Sequence, residues 1–219
     1  MVEYPKRQVV KSDRHVWFEI RALLITGLLK FLFIDWLNMR AFYIGGACLF
    51  WLIYVVVKYK SDPAILKHWG FQKNNFRQSF IILFPVAIVS IAIIVICGLL
   101  NNTAILSWHI VLIFLLYPVW GLLQQFIMVG LIAGNLIAIE KIRLKNYQIV
   151  ILTSLIFSLV HYPNFFLMIF TFFLEIVFIT IYLKWRNLWS LGLVHGWIAT
   201  FLLFFVLERD LWAELFVWF

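Results

Sequence analysis

The chain has 219 residues, of which 65% are hydrophobic, 19% are aromatic and only 13% are charged. This composition excludes an ordinary soluble domain, in which about a quarter of the residues are charged. The formal net charge of +8 does not indicate nucleic-acid binding, because the basic residues are spread over the connections between apolar segments rather than gathered in one stripe.

Several apolar stretches have the length, about 17 to 25 residues, that an α-helix needs to cross ~30 Å of hydrocarbon. In lipid every backbone polar group must be satisfied within the protein, and the alternating pattern of barrel strands is absent. The predicted fold class is therefore an all-α, polytopic membrane helix bundle.

The first 21 residues are predicted to be a polar cytosolic segment, because they are rich in Lys and Arg and lack the cleavage site of a signal peptide. Residues 22–219 are predicted to form a single transmembrane bundle, since no internal repeat or linker divides them. About seven transmembrane helices are expected, near residues 22–38, 41–57, 79–100, 108–138, 148–161, 165–183 and 189–207.

Two of these helices have unusual features. The first contains Lys30 and Asp35, which either pair within the bundle or make this segment lie flat in the membrane interface. The fourth is about 30 residues long, too long to span upright, and Pro118 is expected to kink it or to end a separate first portion.

Lys and Arg residues alternate between the connections. They are frequent before residue 22 and in 58–77, 141–145 and 184–186, but rare or absent between the helices elsewhere. The positive-inside rule then predicts a cytosolic N-terminus and an external C-terminus. The expected location is the cytoplasmic membrane of a bacterium.

Five polar side chains occur inside the predicted spans: Gln124, Gln125, His161, Glu175 and His195. An ionised side chain at mid-membrane costs about 2.5 to 3.5 kcal/mol on insertion scales, so such residues usually mark a pathway or a site. Helical rise puts four of them (Gln124, His161, Glu175 and His195) ~9 to ~21 Å from the cytosolic ends of their helices, which makes a shared cavity geometrically possible.

Structural roles are the alternative. The glutamines can hydrogen-bond a neighbouring helix, and a buried histidine can be satisfied by a backbone carbonyl. Glu175 can pair with Lys30 or be kept protonated by burial. The pairs Gly130-x-x-x-Gly134 and Gly192-x-x-x-Gly196 have the spacing that lets helix backbones approach closely.

The segment Phe157-Ser-Leu-Val-His161, followed by Tyr-Pro-Asn, and the later segment RNLWSLGLVHG ending beside His195 resemble the CAAX protease and bacteriocin-processing (CPBP, or Abi) intramembrane proteases. That family has Glu-Glu-x-x-x-Arg, Phe-x-x-x-His and His-x-x-x-Asn/Asp on successive helices. The resemblance covers about residues 110–205 and implies a helical membrane protease.

Four positions depart from the family pattern. Gln124 and Gln125 stand in place of the glutamate pair, Val129 in place of arginine, and Ala199 in place of asparagine or aspartate. The resemblance implies that a glutamate and a histidine activate water, while the other histidine and the asparagine stabilise the oxyanion. Glutamine accepts no proton, so Gln124 and Gln125 can only position groups or donate hydrogen bonds.

Three routes stay open. A histidine can serve as the base, or Glu175 can supply the carboxylate from a new position. Alternatively, the protein binds a membrane segment without cutting it. A zinc site from the two histidines and Glu175 lacks a local metal-ligand spacing, so no cofactor is predicted.

The predicted function is that of an intramembrane endopeptidase-like protein acting on membrane-associated or C-terminal peptides, of CAAX-like or sorting type, by water activation centred on histidine. The predicted site is His161, His195, Gln124, Gln125 and Glu175. The alternatives are an inactive homologue that regulates membrane proteins and a proton-coupled transporter using His161, Glu175 and His195 as a relay. The expected partners are a membrane protein or peptide substrate and the lipid bilayer, with no nucleic acid and no assigned oligomeric state.

Overall fold

The computed structural model describes residues 13–138 and 144–216, and every regular element within these ranges is helical. The α-helices are α1 Asp13–Lys30, α2 Arg40–Ser61, α3 Ile65–Trp69, α4 Phe76–Leu100, α5 His109–Gln125, α6 Gly134–Ala138, α7 Asn146–Leu159, α8 Phe165–Trp185, α9 Leu188–Phe205 and α10 Leu211–Phe216. Two π-helical segments, Phe31–Trp36 and Phe126–Ala133, follow α1 and α5. The predicted all-α polytopic fold class is confirmed.

Six of the seven predicted helices agree with the structure to within four residues at each end. The predicted start of the first helix at residue 22 is wrong, because the chain is already helical at Asp13. Glu19, which the sequence placed in a polar segment, is only 1% exposed and accepts a hydrogen bond from the Tyr54 hydroxyl. The basic residues predicted to be cytosolic at 6–11 and 141–143 lie outside the described residues.

Within the described part of the chain, five helical runs are long and apolar enough to cross a membrane: Arg40–Ser61, Phe76–Leu100, His109–Ala138, Phe165–Trp185 and Leu188–Phe205. The first and fifth predicted spans do not meet that standard. Helix α1 contains five charged residues, and α7 has only 14 residues, about 21 Å at 1.5 Å per residue. The chain is a multi-pass membrane protein.

The structure has two compact units, each built from two stretches of the chain. Unit 1 takes its described residues from 13–72 and 126–186, and unit 2 takes them from 73–125 and 187–216. Unit 1 therefore contains α1 to α3 and α6 to α8 with both π-helical segments, and unit 2 contains α4, α5, α9 and α10.

The core of unit 1 contains a cluster of large aromatic rings. The Phe126 ring centroid lies 5.1 Å from that of Trp69 and 6.2 Å from that of Trp51, and all three side chains are at most 2% exposed. The Tyr182 hydroxyl donates to the Trp69 carbonyl at 2.8 Å, which ties α8 to α3. Aromatic edge-to-face packing of this kind stabilises a helix contact beyond the area it buries.

Unit 2 is arranged around α9, which packs against both α4 and α5. The Ser79 and Ser190 hydroxyl oxygens lie 2.6 Å apart between α4 and α9, and both side chains are fully buried. A Cβ atom on Gly98 would lie 2.3 Å from the Phe205 carbonyl oxygen, so α4 and α9 also meet backbone to backbone. Small residues at helix contacts permit such close packing in membranes.

Candidate functional site

Helices α5 and α9 of unit 2 are in direct backbone contact near the glutamine pair. A Cβ atom added to Gly121 would lie 2.7 Å from the Gly192 carbonyl oxygen, and one added to Gly196 would lie 2.5 Å from Pro118 Cα. Only glycine permits this separation, since real Cβ contacts are longer. The Gly192-x-x-x-Gly196 pair therefore serves close helix packing as predicted. At Gly134, by contrast, the nearest described atom to an added Cβ outside the surrounding helical turn is the Val129 carbonyl oxygen at 4.0 Å.

This close packing brings Gln125 and His195 together. The Gln125 side-chain nitrogen Nε2 lies 3.2 Å from His195 Nδ1, although 70 residues separate them in the sequence. Gln125 is fully buried and His195 is 5% exposed. The contact joins one of the predicted glutamines to one of the predicted histidines.

The Gln125 amide determines which nitrogen of His195 can carry the proton. An amide NH₂ group only donates, so in this orientation of the amide it donates to Nδ1. A neutral His195 ring then carries its hydrogen on Nε2. That ring presents an N–H donor, which suits oxyanion stabilisation and does not suit proton abstraction.

Gln124 lies one position earlier on α5 and is half-buried. Its Oε1 atom is buried and has no hydrogen-bond partner among the residues that the structure describes. An unpaired amide oxygen away from solvent costs about 1 to 3 kcal/mol. The structure therefore identifies Gln124 as an acceptor without a partner within the described chain.

His161 belongs to unit 1 and follows α7 in the turn before α8. Its Nδ1 atom lies 2.7 Å from the Phe157 carbonyl oxygen, and the two rings pack edge to face with centroids 4.9 Å apart. Phe157 is 1% exposed, so it anchors the turn in the core of unit 1. The spacing of four residues in Phe-x-x-x-His thus brings the His161 ring into contact with both the carbonyl and the ring of Phe157.

The hydrogen-bond partner of His161 favours the opposite tautomer from the one that Gln125 favours in His195. A carbonyl oxygen only accepts, so His161 Nδ1 must carry the hydrogen. The lone pair of the neutral ring is then on Nε2, where it can accept a proton. Thr171 Oγ1, at 3.5 Å from Nδ1, lies beside the same nitrogen and leaves this assignment unchanged.

Glu175 is also in unit 1, on α8, and its side chain is fully buried. It lies four residues after Thr171, so both side chains project from the same face of α8. The described structure thus pairs Gln125 with His195 in unit 2 and puts Glu175 in the same unit as His161. Lys30, the predicted alternative partner of Glu175, instead has its Nζ atom 2.6 Å from Asp35 Oδ2.

Residues 105–201 match a family model described as type II CAAX prenyl endopeptidase, Rce1-like. This match confirms the resemblance to the CPBP membrane proteases. The segment 105–201 is an Rce1-like region. No curated protein and no solved structure gave a match.

The Rce1-like region contains all five predicted site residues. It also contains Val129 and Ala199, the two other positions that depart from the CPBP sequence pattern. Val129 is fully buried in the second π-helical segment, and Ala199 is half-buried on α9. Neither side chain can donate a hydrogen bond to developing negative charge. The predicted site in the Rce1-like region therefore consists of His161, His195, the two glutamines and Glu175, with no hydrogen-bond donor from the side chains at 129 and 199.

Metal ligands do not cluster in the part of the chain that the structure describes. No group of three or more His, Cys, Asp or Glu side chains there is arranged to hold a metal ion. The two cysteines, Cys48 and Cys97, are both free and lie on different helices. No metal centre is proposed for the Rce1-like region.

Sequence reasoning missed one residue that touches the histidine turn. Lys30 Nζ donates to the carbonyl oxygen of Tyr162, the residue after His161, at 3.2 Å. Its only signal in the sequence was a charge within an apolar segment. That signal indicated a paired lysine but did not indicate its partners.

Proposed function

We propose that this protein is a membrane-embedded endopeptidase that cleaves membrane-associated or C-terminal peptides, of CAAX-like or sorting type, by water activation centred on histidine. The observation that carries the proposal is the match of residues 105–201 to a family of prenyl endopeptidases. The proposed setting is the cytoplasmic membrane of a bacterium, with a peptide substrate reached from the lipid bilayer.

In the proposed mechanism His161 is the general base. Its Nε2 lone pair accepts a proton from water, and the resulting hydroxide attacks the peptide carbonyl carbon. The protonated ring then returns that proton to the departing amine as the C–N bond breaks. The hydrogen bond from Nδ1 to the Phe157 carbonyl supports this role, because it leaves Nε2 as the accepting nitrogen.

His195 is proposed to act as the donor. The N–H group on its Nε2 would stabilise the negative oxygen of the tetrahedral intermediate. The Gln125 amide supports this role by donating to Nδ1 and so fixing the hydrogen on Nε2. Gln125 is proposed as a positioning residue, and Gln124 as an acceptor that orients the attacking water.

These assignments give a role to glutamine at the positions where the family has glutamate. A glutamate next to His195 would accept from Nδ1 and make Nε2 the basic nitrogen. Glutamine reverses this arrangement, so the basic function passes to His161. Glu175 is the second candidate base, supported by its complete burial in the same unit as His161.

The test is cleavage of fluorogenic peptides, with and without a farnesyl group, by the full chain in proteoliposomes. His161→Ala and His195→Ala are each expected to lower kcat at least ~100-fold, since general acid–base catalysis contributes about that much. His15→Ala is the matched control, because His15 is an exposed histidine on α1. Full activity of either site variant would remove that histidine from the mechanism.

The double variant His161→Ala/His195→Ala tests whether the histidines serve one reaction. Residues that act as a unit have non-additive effects, so the double variant is expected to be about as slow as the slower single variant. If the loss of kcat in the double variant equals the product of the two single losses, the histidines have independent roles. A wild-type chain that binds these peptides without cutting them would instead identify an inactive homologue, and proton-dependent solute uptake would identify a transporter.

A further inference from the structure

Lys30 makes a contact between two distant parts of the sequence within unit 1. Its ammonium group is 2.6 Å from Asp35 Oδ2 and 3.2 Å from the Tyr162 carbonyl oxygen, 132 residues away. Its side chain is 19% exposed. The contact joins the end of α1, which lies outside the Rce1-like region, to the turn that carries His161.

The first π-helical segment explains why Lys30 and Asp35 meet. In an α-helix, side chains three or four residues apart are neighbours, and those five apart are not. The segment Phe31–Trp36 instead has the wider π register, in which the Leu37 N–H donates to the Leu32 carbonyl at 2.9 Å. This register turns residues five apart toward one face, and π-helical turns often mark functional positions.

The Lys30–Asp35 pair lies beside exposed apolar side chains and an aromatic ring. Leu28 is 69% exposed and Trp36 is 80% exposed, so the outer face beside the pair is apolar and suited to lipid. The Lys30 ammonium also lies 4.4 Å from the centroid of the Phe31 ring. An ammonium donor makes a stronger hydrogen bond than a neutral one.

The turn that receives this contact is also held through the His161, Asn164 and Thr171 side chains, but none of these three contacts involves the Tyr162 carbonyl. Short backbone bonds hold it, including Tyr162 N–H to the Leu159 carbonyl at 3.1 Å and Asn164 N–H to the His161 carbonyl at 3.1 Å. Tyr162 is 53% exposed. A charged donor on the Tyr162 carbonyl therefore restrains the backbone one residue from His161.

We propose that Lys30, oriented by Asp35 across the first π-helical segment, is a positioning residue that holds the His161 turn in place for catalysis. The inference rests on the proposed function in that it assumes a catalytic His161. It assigns a role to the N-terminal part of the chain, which the family match does not cover. A displacement of about 1 Å of a reacting group can cost about 100-fold in rate.

Three variants of the full chain separate turn positioning from charge neutralisation. Lys30→Met removes the donor and leaves Asp35 without its cation. Lys30→Met/Asp35→Asn removes the donor and the unpaired carboxylate together. Lys30→Arg keeps a charged donor, and Lys60→Met is the matched control, because Lys60 is an exposed lysine at the end of α2.

The first measurement is amide hydrogen exchange in proteoliposomes, which needs no activity. In the double variant the amide hydrogens of residues 160–162 and 164 are expected to exchange about tenfold faster than in the wild type, while those of α9 are unchanged. Lys30→Arg and Lys60→Met are expected to keep the wild-type rate. Unchanged exchange at 160–164 in the double variant would overturn the inference.

The second measurement is kcat and KM for a farnesylated fluorogenic peptide. In the double variant kcat is expected to fall about tenfold to 100-fold with KM little changed, and Lys30→Arg is expected to restore most of the loss. Wild-type kcat in the double variant would show that Lys30 only neutralises Asp35, and would overturn the positioning role. Faster exchange at 160–164 in a chain that cleaves no peptide would support the contact and contradict the proposed function.

Discussion

At the scale of single residues, the two histidines differ in the partner of the same ring atom. His161 Nδ1 faces a carbonyl oxygen at 2.7 Å, and His195 Nδ1 faces an amide nitrogen at 3.2 Å. An acceptor and a donor at that atom select opposite neutral tautomers. In the proposed mechanism, glutamine at position 125 therefore sets the tautomer of the neighbouring ring and supplies no base itself.

Gln125→Glu is expected to reverse the tautomer of His195. A carboxylate accepts, so Nδ1 would carry the hydrogen and Nε2 would become the accepting nitrogen. Nitrogen-15 NMR of histidine-labelled protein in micelles distinguishes the two forms directly. Gln125→Ala is the control, because it removes the partner without supplying an acceptor. A wild-type His195 that already carries its hydrogen on Nδ1 would contradict the assignment.

At the scale of helices, the position of His195 depends on how closely α5 and α9 approach. The separation is set by glycine at 121, 192 and 196, where a Cβ atom would come within 2.7 Å of the opposite backbone. Backbone atoms cannot rotate away as a side-chain end can. The glycines therefore fix the distance that the Gln125 side chain has to bridge.

Gly196→Ala is expected to lower the free energy of unfolding by about 1 to 3 kcal/mol, because the new methyl would lie 2.5 Å from Pro118 Cα. Gly45→Ala is the matched control, since no described atom lies within 4 Å of a Cβ atom there, apart from its chain neighbours and the backbone of its own helix. The free energy of unfolding of the Gly45→Ala variant is expected to be unchanged or higher by up to ~1 kcal/mol. Equilibrium unfolding in mixed micelles measures both, and equal effects would contradict backbone contact.

A second connection between elements joins the start of α5 to the loop before α10. His109 Nδ1 lies 2.6 Å from Asp210 Oδ2, and the Ala213 N–H donates to Asp210 Oδ1 at 3.1 Å. Burial raises the pKa of the Asp210 carboxyl, but the hydrogen bonds from His109 and Ala213 outweigh it and hold that pKa below its usual range. The charged carboxylate therefore stabilises this connection.

The depressed pKa of Asp210 predicts a pH-dependent contribution to stability. A carboxyl with a lowered folded pKa stabilises the fold above its unfolded value of ~3.9, and this contribution is lost as pH falls through the folded value. Wild type is expected to be more stable than Asp210→Asn at about pH 6, with the difference vanishing near pH 2 or below. Thermal unfolding at several pH values measures the difference, and a gap independent of pH would contradict the role of the charge.

At the scale of the whole molecule, the helix lengths and the charged connections must agree on one topology. Five helical runs among the described residues are long and apolar enough to cross a membrane, while α7 covers only about 21 Å. In the predicted topology, the alternation of basic and non-basic connections makes α7 run from the cytosolic side toward the outside. Starting at the cytosolic surface, α7 would end inside a ~30 Å hydrocarbon layer, at a depth that suits an intramembrane site.

The predicted topology is tested by cysteine labelling in a chain carrying Cys48→Ala and Cys97→Ala. Ser61→Cys, at the end of α2 next to the basic connection, is expected to react with an impermeant maleimide only after the cells are opened. Leu106→Cys, in the non-basic connection after α4, is expected to react in intact spheroplasts. The residues chosen are both exposed. A reversed pattern would place the N-terminus outside.

The amino-acid sequence by itself determined the membrane class, six helices to within four residues, and the resemblance of one region to CAAX-type membrane proteases through Phe157, His161 and His195. These features depend on local properties: apolar length, helical periodicity and residues four positions apart. Tertiary structure alone decided that Gln125 meets His195 and that Lys30 reaches the Tyr162 carbonyl, across 70 and 132 residues. Such partners depend on how closely helices pack and where a π-helical turn changes the register, and neither is encoded in a local pattern.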